Sequence, residues 1–169
     1  MAAEKTLNDA FYETLRDVLY AEKQALKACE KSSKAATIPE LKQAFEQHAQ
    51  ETEGQIDRLQ QIFELINRPA RAKTCEAMQG IMTEMEEDLA DFGTTPATDA
   101  VIIGCGQAIE HYEIARYGML ISWAKQLGQA DAATLLGETL EEEKNADALL
   151  TKIAESSANA AAGGKSKAA

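Results

Sequence analysis

The chain has 169 residues, with 28 acidic side chains against 17 basic ones and a net charge of −11. That length suits one domain, and an acidic chain without a dense Lys/Arg cluster is a poor match for nucleic acid. MAAEKTLNDA lacks a basic-then-apolar leader, no uninterrupted apolar run reaches about 18 residues, and Cys29, Cys75 and Cys105 have no C-x-x-C spacing. These features point away from a membrane span, a zinc site or a disulfide framework, and toward a soluble cytoplasmic protein.

From about Thr6 to Ser33, Phe11, Leu15, Val18, Leu19 and Leu26 recur at steps of three and four, the period of one buried helical face, and Glu22 lies in the same line. A second helix is predicted from Thr37-Ile-Pro-Glu40, which reads as a capping box with proline in the first turn, to about Ile66; Asn67-Arg-Pro-Ala ends it. Met78, Ile81, Met82, Met85 and Leu89 mark a shorter amphipathic helix from about Thr74 to Phe92, closed by Gly93-Thr-Thr-Pro-Ala. The third long helix runs from about Thr98 to Leu127 and stops at Gly128, a residue suited to the left-handed position after a helix. The fourth runs from about Asp131 to Glu155, with Leu135, Leu136, Leu140, Leu150 and Ile153 apolar. Residues 1–156 are thus expected to form the bundle, and the Ala/Gly/Lys-rich stretch 157–169, with nothing to bury, a disordered tail.

Connection lengths choose the topology. The first and second long helices are joined by a few residues, as are the third and fourth, so each pair should be antiparallel. Between the second and third lie about thirty residues containing a helix of roughly 27 Å at 1.5 Å per residue. The predicted fold is therefore all-α: a four-helix bundle with one long crossover that contains an extra short helix.

The same periodicity turns several polar residues inward. Glu22 sits in the first apolar line, and His48, Glu51 and Gln55 interrupt Leu41, Phe45, Leu59, Ile62 and Ile66 in the second. Glu113 shares a face with Ile102, Ile109 and Leu120, with Glu110 at its edge, and Glu143 and Asp147 continue the line of Leu136, Leu140 and Leu150. Glu22, Glu51, Glu110, Glu113 and Glu143 all lie within about one turn, 5.4 Å, of the midpoints of their helices, so they converge on one level. Such a cluster must be protonated, paired with buried cations or occupied by metal; Arg116 is the one internal cation the pattern offers. Two divalent ions bridged by glutamates would resolve the charge. His48 reads equally as a ligand or as a core histidine bonded to a carboxylate, Tyr20, Tyr112 and Tyr117 as donors to the site or as packing, and His111 as exposed.

At these residues the chain resembles the ferritin-like superfamily, and more closely the YciE/YciF family of bacterial stress-associated proteins. The resemblance is carried by LYAEKQ around Glu22, HAQETEGQIDRL around Glu51, IEHYEIARYG around Glu110 and Glu113, and ETLEEEKNAD around Glu143, in order over residues 6–155. It implies a compact helical homodimer with a ferritin-like bundle and no established activity. The superfamily's Glu-x-x-His pattern is broken twice: Gly54 follows Glu51 by three residues, and Ala146 follows Glu143. His48, Gln55 and Asp147 are the available substitutes. No four-cysteine rubredoxin module is present, and the stretch after the last long helix offers no fifth helix for a ferritin cage.

The resulting expectation is a protein that binds two iron or manganese ions through Glu22, Glu51, Glu110, Glu113 and Glu143, with Asp147 and His48 as further candidates. Reaction with oxygen or peroxide is its most natural chemistry, and whether it is an enzyme stays open. The alternative is a metal-free helical dimer acting as a structural or interaction protein. Sedimentation equilibrium at tens of micromolar should return a dimer mass; a monomer would remove the homodimer expectation.

Overall fold

The computed structural model describes residues 4–163, and every regular element in it is helical. Helix α1 spans Leu7–Ala35, α2 Pro39–Leu65, α3 Glu76–Phe92, α4 Thr98–Gln126 and α5 Ala130–Ile153. None is long and apolar enough to cross a membrane. Local chemistry accounts for the ends. Asp9 accepts the Thr6 backbone N–H at 2.9 Å at the start of α1. Asn67 takes a left-handed φ of 52° after α2, and Gly128 does so at 71° between α4 and α5.

The capping box expected at Thr37-Ile-Pro-Glu40 is not formed. Pro39 occupies the first turn, Ile38 becomes the residue that caps α2, and no side chain closes that end. The backbone N–H of Thr37 donates instead to Asp99 Oδ1 at 2.7 Å, and its hydroxyl donates to Asp99 Oδ2. A carboxylate at 6 % exposure on another helix is the stronger acceptor.

That bond also fixes the topology. The start of α1 meets the end of α2, where the Tyr12 hydroxyl donates to the Pro69 carbonyl at 3.1 Å, so α1 and α2 are antiparallel. The start of α2 meets the start of α4 through Asp99, so these two run parallel. Helix α3 carries the chain from one end of the bundle to the other to make this possible. The four long helices form a ring in which α1 touches α2 and α4, and α5 touches α2 and α4, with α3 laid against α4 and α1. The bundle with one long crossover is the observed fold.

Apolar clusters fill both ends. Phe11, Leu15, Leu59, Phe63, Leu120 and Leu136 pack at the end where α1 begins, and Leu41, Phe45, Ile102, Ile103, Leu150 and Ile153 pack at the other. A third cluster sets Met78 and Met85 of α3 against Ala21, Ala25 and Ala28 of α1, small side chains that let the crossover helix approach closely. Gly106 serves the same end on α4, since a Cβ there would lie 3.1 Å from Leu150 and 3.2 Å from Phe45.

The helical chain also runs past residue 156, where the tail was expected to begin. Ala154–Ala158 forms a π-helical turn and α6 follows at Asn159–Ala162, with Ala158 buried at 1 % exposure among the Ile102, Ile103 and Ile153 cluster. The Ser157 hydroxyl donates to the Ile153 carbonyl at 3.0 Å and competes with the regular ladder there. Residues 164–169 of the expected tail lie outside the described residues.

Replacing Asp99 with alanine removes the buried carboxylate that accepts from the Thr37 N–H and hydroxyl. Urea unfolding should show a loss of about 1–3 kcal/mol; an unchanged midpoint would mean that Asp99 does not tie the helix ends together.

Candidate metal centre

Between the two end clusters the bundle has a polar layer. Glu22 on α1, Glu110 and Glu113 on α4 and Glu143 on α5 are each at 2 % exposure or less. Three of the four long helices therefore bury acids at one level, as their periodicity indicated. Helix α2 departs from the expectation. Its buried positions include Leu41, Phe45, His48, Thr52, Gln55, Leu59 and Ile62, a three-and-four alternation that turns His48, Thr52 and Gln55 inward. Glu51, one residue off that line and so about 100° round the helix, keeps 32 % of its side chain exposed. It stands at the edge of the site. Asp147 does not reach the layer at all. It accepts from Gln107 Nε2 at 2.9 Å and lies 3.3 Å from Nε2 of the exposed His111, on the outer face of α4 and α5.

His48 is the cation the interior does hold. Its Nδ1 is 3.1 Å from Glu51 Oε2, while its Nε2 faces Glu110 Oε2 at 3.2 Å and Glu143 Oε2 at 3.4 Å. Ligand atoms of His48, Glu110 and Glu143 all lie within 4.8 Å of one another, close enough to share one ion. Arg116, the cation anticipated for the interior, instead places its guanidinium 5.0 Å from the Tyr112 ring centroid.

The rest of the layer is thinly bonded. The Tyr117 hydroxyl donates to Glu22 Oε1, and neither oxygen of Glu113 has a hydrogen-bond partner. Gln55 Nε2 donates to Glu142 Oε2 at 3.1 Å, and Glu142 is itself held by Arg58 through contacts of 2.7 and 2.5 Å. This ion pair fixes the amide with its Oε1 buried and without a donor. The buried side-chain atoms among the described residues that no well-formed hydrogen bond reaches are Glu22 Oε2, Gln55 Oε1, Glu110 Oε2, both oxygens of Glu113 and both of Glu143; of these, Glu110 Oε2 and Glu143 Oε2 have His48 Nε2 near them, at 3.2 and 3.4 Å. All of them belong to this one layer. Buried polar atoms are otherwise satisfied in folded proteins, so a concentration of bare oxygen acceptors marks a place for a cation.

Sequence reasoning did not find the Arg58–Glu142 pair. Glu142 adjoins Glu143 but points the other way, and Arg58 falls just outside the apolar line; only their mutual distance reveals them.

Electrostatics follow from burial. Desolvation drives Glu22 well above the usual carboxylate value, with Glu143 adding to it and the Tyr117 bond opposing. Glu113 rises in the same way, through burial and then the charges of Glu22 and Glu143. Burial and the facing Glu143 carboxyl push Glu110 up to about 8, against the pull of His48. For Glu143 burial is again the largest influence, yet contacts from Glu110, His48 and Gln55 outweigh it and bring it below the usual value. For His48, burial disfavours the charge, and the carboxyls of Glu110, Glu143 and Glu51 overcome that and raise it well above an ordinary imidazole. These directions favour the charged form of His48 and Glu143 and the protonated form of Glu22, Glu110 and Glu113.

A pocket of ≈ 80 Å³ connects this layer to the surface between α2 and α5, with His48, Glu51 and Glu110 among its walls and Phe45, Leu149 and Leu150 on its apolar side.

Comparison with known proteins agrees with this architecture. Residues 6–163 match the family described as a domain of unknown function, DUF892. The chain is 42% identical to Protein YciF of Escherichia coli strain K12 over 156 residues, 92% of this chain and 94% of that protein. The crystal structure of the E. coli stress protein YciF superposes with a TM-score of 0.87, covering 92% of this chain and 99% of the other at 42% identity. YcfI from Rhodopseudomonas palustris, for which a structural role has been suggested, superposes at 0.85 with 38% identity over 89% of this chain and 97% of its own. A protein from Xanthomonas campestris pv. campestris gives 0.73 at 26% identity, over 92% and 94% of the two chains.

The raised acids set a sign for pH dependence. As pH rises above about 5.5 toward 8, the folded chain holds protons on Glu22, Glu113, Glu110 and His48 that the unfolded chain releases near the ordinary values of 4.5 for the acids and 6.5 for the histidine. The folded state binds more protons, so stability is greatest at the low end of that window and is lost as pH rises. Glu143 and Glu51, whose values are lowered, act in the opposite direction only below the carboxylate range. The melting temperature of chelator-treated protein should fall from pH 5.5 to 8. A rising melting temperature would show that the interior acids are already ionised and paired.

Proposed function

The chain belongs to the DUF892 family, and from that premise we propose that it is a stress-associated helical-bundle protein whose interior binds two divalent transition-metal ions, iron or manganese. The observation that carries this reading is the gathering of every orphaned buried side-chain oxygen of the described residues into one layer supplied by all four long helices. One ion would be held by His48, Glu110 and Glu143. The other would draw on Glu22 and Glu113, with the Gln55 amide oxygen as a neutral donor in the place of a histidine; among the described residues the one group of three whose ligand atoms already lie within 4.8 Å is His48, Glu110 and Glu143. In the loaded centre Glu51 would act on His48: by accepting Nδ1–H it leaves Nε2 free to face the site, the arrangement that orients imidazole ligands in metal proteins. The donor set is nearly all oxygen, which suits hard or borderline ions.

Bound there, such ions would supply chemistry with oxygen or peroxide. The chain's own contribution would be to present its acids and His48 in a buried layer, to keep Tyr117 hydrogen-bonded to Glu22, and to admit small molecules at the pocket beside His48. The homodimer and a cytoplasmic location remain part of this reading, the latter consistent with the three free, buried cysteines.

A second reading, a metal-free structural protein, is favoured by the His48 contacts, which neutralise part of the layer without any ion, and by the structural role suggested for the Rhodopseudomonas protein.

One substitution separates the two readings. Glu113→Leu fills the same space and removes both bare oxygens, so metal-free protein should gain about 1–4 kcal/mol of stability. If the layer is a metal site, the same variant should lose at least one of two ions measured by elemental analysis after anaerobic reconstitution with iron(II) or manganese(II). Wild-type protein that takes up less than a tenth of an equivalent of either would leave the structural reading in place.

A further inference from the structure

The acids of the polar layer are enclosed on most sides. The apolar clusters close both ends of the bundle, and α3 covers the face formed by α1 and α4. The pocket between α2 and α5 differs: its walls include Gln47, His48 and Glu51 of α2, Glu110 of α4, and Asn145 and Ala146 of α5. It reaches two of the residues assigned above to an ion, His48 and Glu110. A larger cleft between α4 and α5, bordered by Ile121, Lys125, Gly137 and Glu141, touches none of the interior acids, and its one lysine offsets its one glutamate.

We propose that the α2–α5 pocket is the cation-access site of the buried centre, where a divalent ion exchanges bulk water for Glu51 and then for the interior ligands; the inference rests on the di-metal reading above. Three features of the pocket fit that task. Its ≈ 80 Å³ has room for several ordered waters, each needing about 10–15 Å³ of such space, and so for an ion arriving with part of its hydration shell. Its charge is graded from surface to interior. The half-exposed Glu51 carboxylate stands at the rim, held by Gln47 Nε2 at 2.9 Å and by His48 Nδ1 at 3.1 Å, and Glu110 lies behind it at 2 % exposure. A chain of net charge −11 adds a general attraction for cations, which a small negative mouth with apolar walls focuses. Finally, the small Ala146 and the exposed, uncharged Asn145 on the facing helix leave the entrance open.

Access predicts rates, whereas ligation predicts occupancy, and the two can be varied separately. Asn145 is exposed and is not assigned to any ion. In chelator-stripped full-length protein, cobalt(II) uptake followed by stopped-flow visible absorption should slow on the order of tenfold for Asn145→Lys and quicken for Asn145→Asp at low salt. The three rates should converge at about 0.5 M salt, where exposed charges are screened. Ala146→Phe, which fills the pocket, should remove the fast phase while long incubation still reaches the wild-type cobalt content. Equal uptake rates for wild type, Asn145→Lys and Asn145→Asp at low salt would overturn the proposal, because the ion would then be entering elsewhere. Wild-type protein that takes up no cobalt, iron or manganese would instead overturn the di-metal reading on which it rests.

Discussion

The structure depends on one constraint: four carboxylic side chains are buried at the same height in a bundle with a single imidazole among them. Each ionised carboxylate in such a place costs several kcal/mol in lost hydration, and neighbouring charges add to that cost. The folded chain limits the cost by keeping several acids protonated and His48 charged. That arrangement is tolerable only if the remainder of the bundle is tightly and conventionally packed. The two apolar end clusters, the alanine face under α3 and the close approach at Gly106 do this. The polar layer is sandwiched between rigid ends, so its oxygens are held near one another without having to attract one another.

Much of the fold was legible because it is written in short-range signals. Three-and-four periodicity gave the helices, Gly128 and Asn67 marked the turns, and the length of the stretch from Asn67 to Ala97 dictated a crossover that restores the direction of α2 in α4. Two features escaped that reading. The Thr37 cap was misassigned because its acceptor, Asp99, is sixty-two positions away and on a different helix; local spacing cannot weigh a tertiary acceptor against a nearby one. The helical extension to Ala162 was hidden because its residues are small and its burial comes from the surface of the Ile102 cluster rather than from its own apolar content.

The site shows where periodicity ceases to resolve position. On α1, α4 and α5 the acids sit squarely on buried lines, and the pattern placed Glu22, Glu110, Glu113 and Glu143 in the interior. On α2 several polar residues fall together between Phe45 and Leu59, and a 100° step separates a core position from a rim position. The helix resolves this in favour of His48, Thr52 and Gln55, leaving Glu51 half-exposed. Asp147 is a similar case: one turn beyond Glu143, it has rotated far enough to meet Gln107 and His111 on the outer face. Side-chain partners decided both outcomes, and sequence spacing does not contain them.

The shift of Glu51 from interior to rim alters the chemistry available to the centre. With a carboxylate there, α2 would have added a further negative charge to an already strained layer. Instead it contributes one imidazole and one amide, donors that carry no negative charge. The imidazole is tuned from outside by Glu51, and the amide is oriented from outside by the Arg58–Glu142 pair. Charge that would be costly in the interior is thus kept nearer the surface, where solvent screens it, and acts through hydrogen bonds on the imidazole and the amide within. The same arrangement bears on the proposed metal site. The charge on His48, whose Nε2 lies 3.2 Å from Glu110 and 3.4 Å from Glu143, sits among the residues proposed to hold an ion, so an ion taking that place has to displace protons from the layer, and its binding is tied to pH.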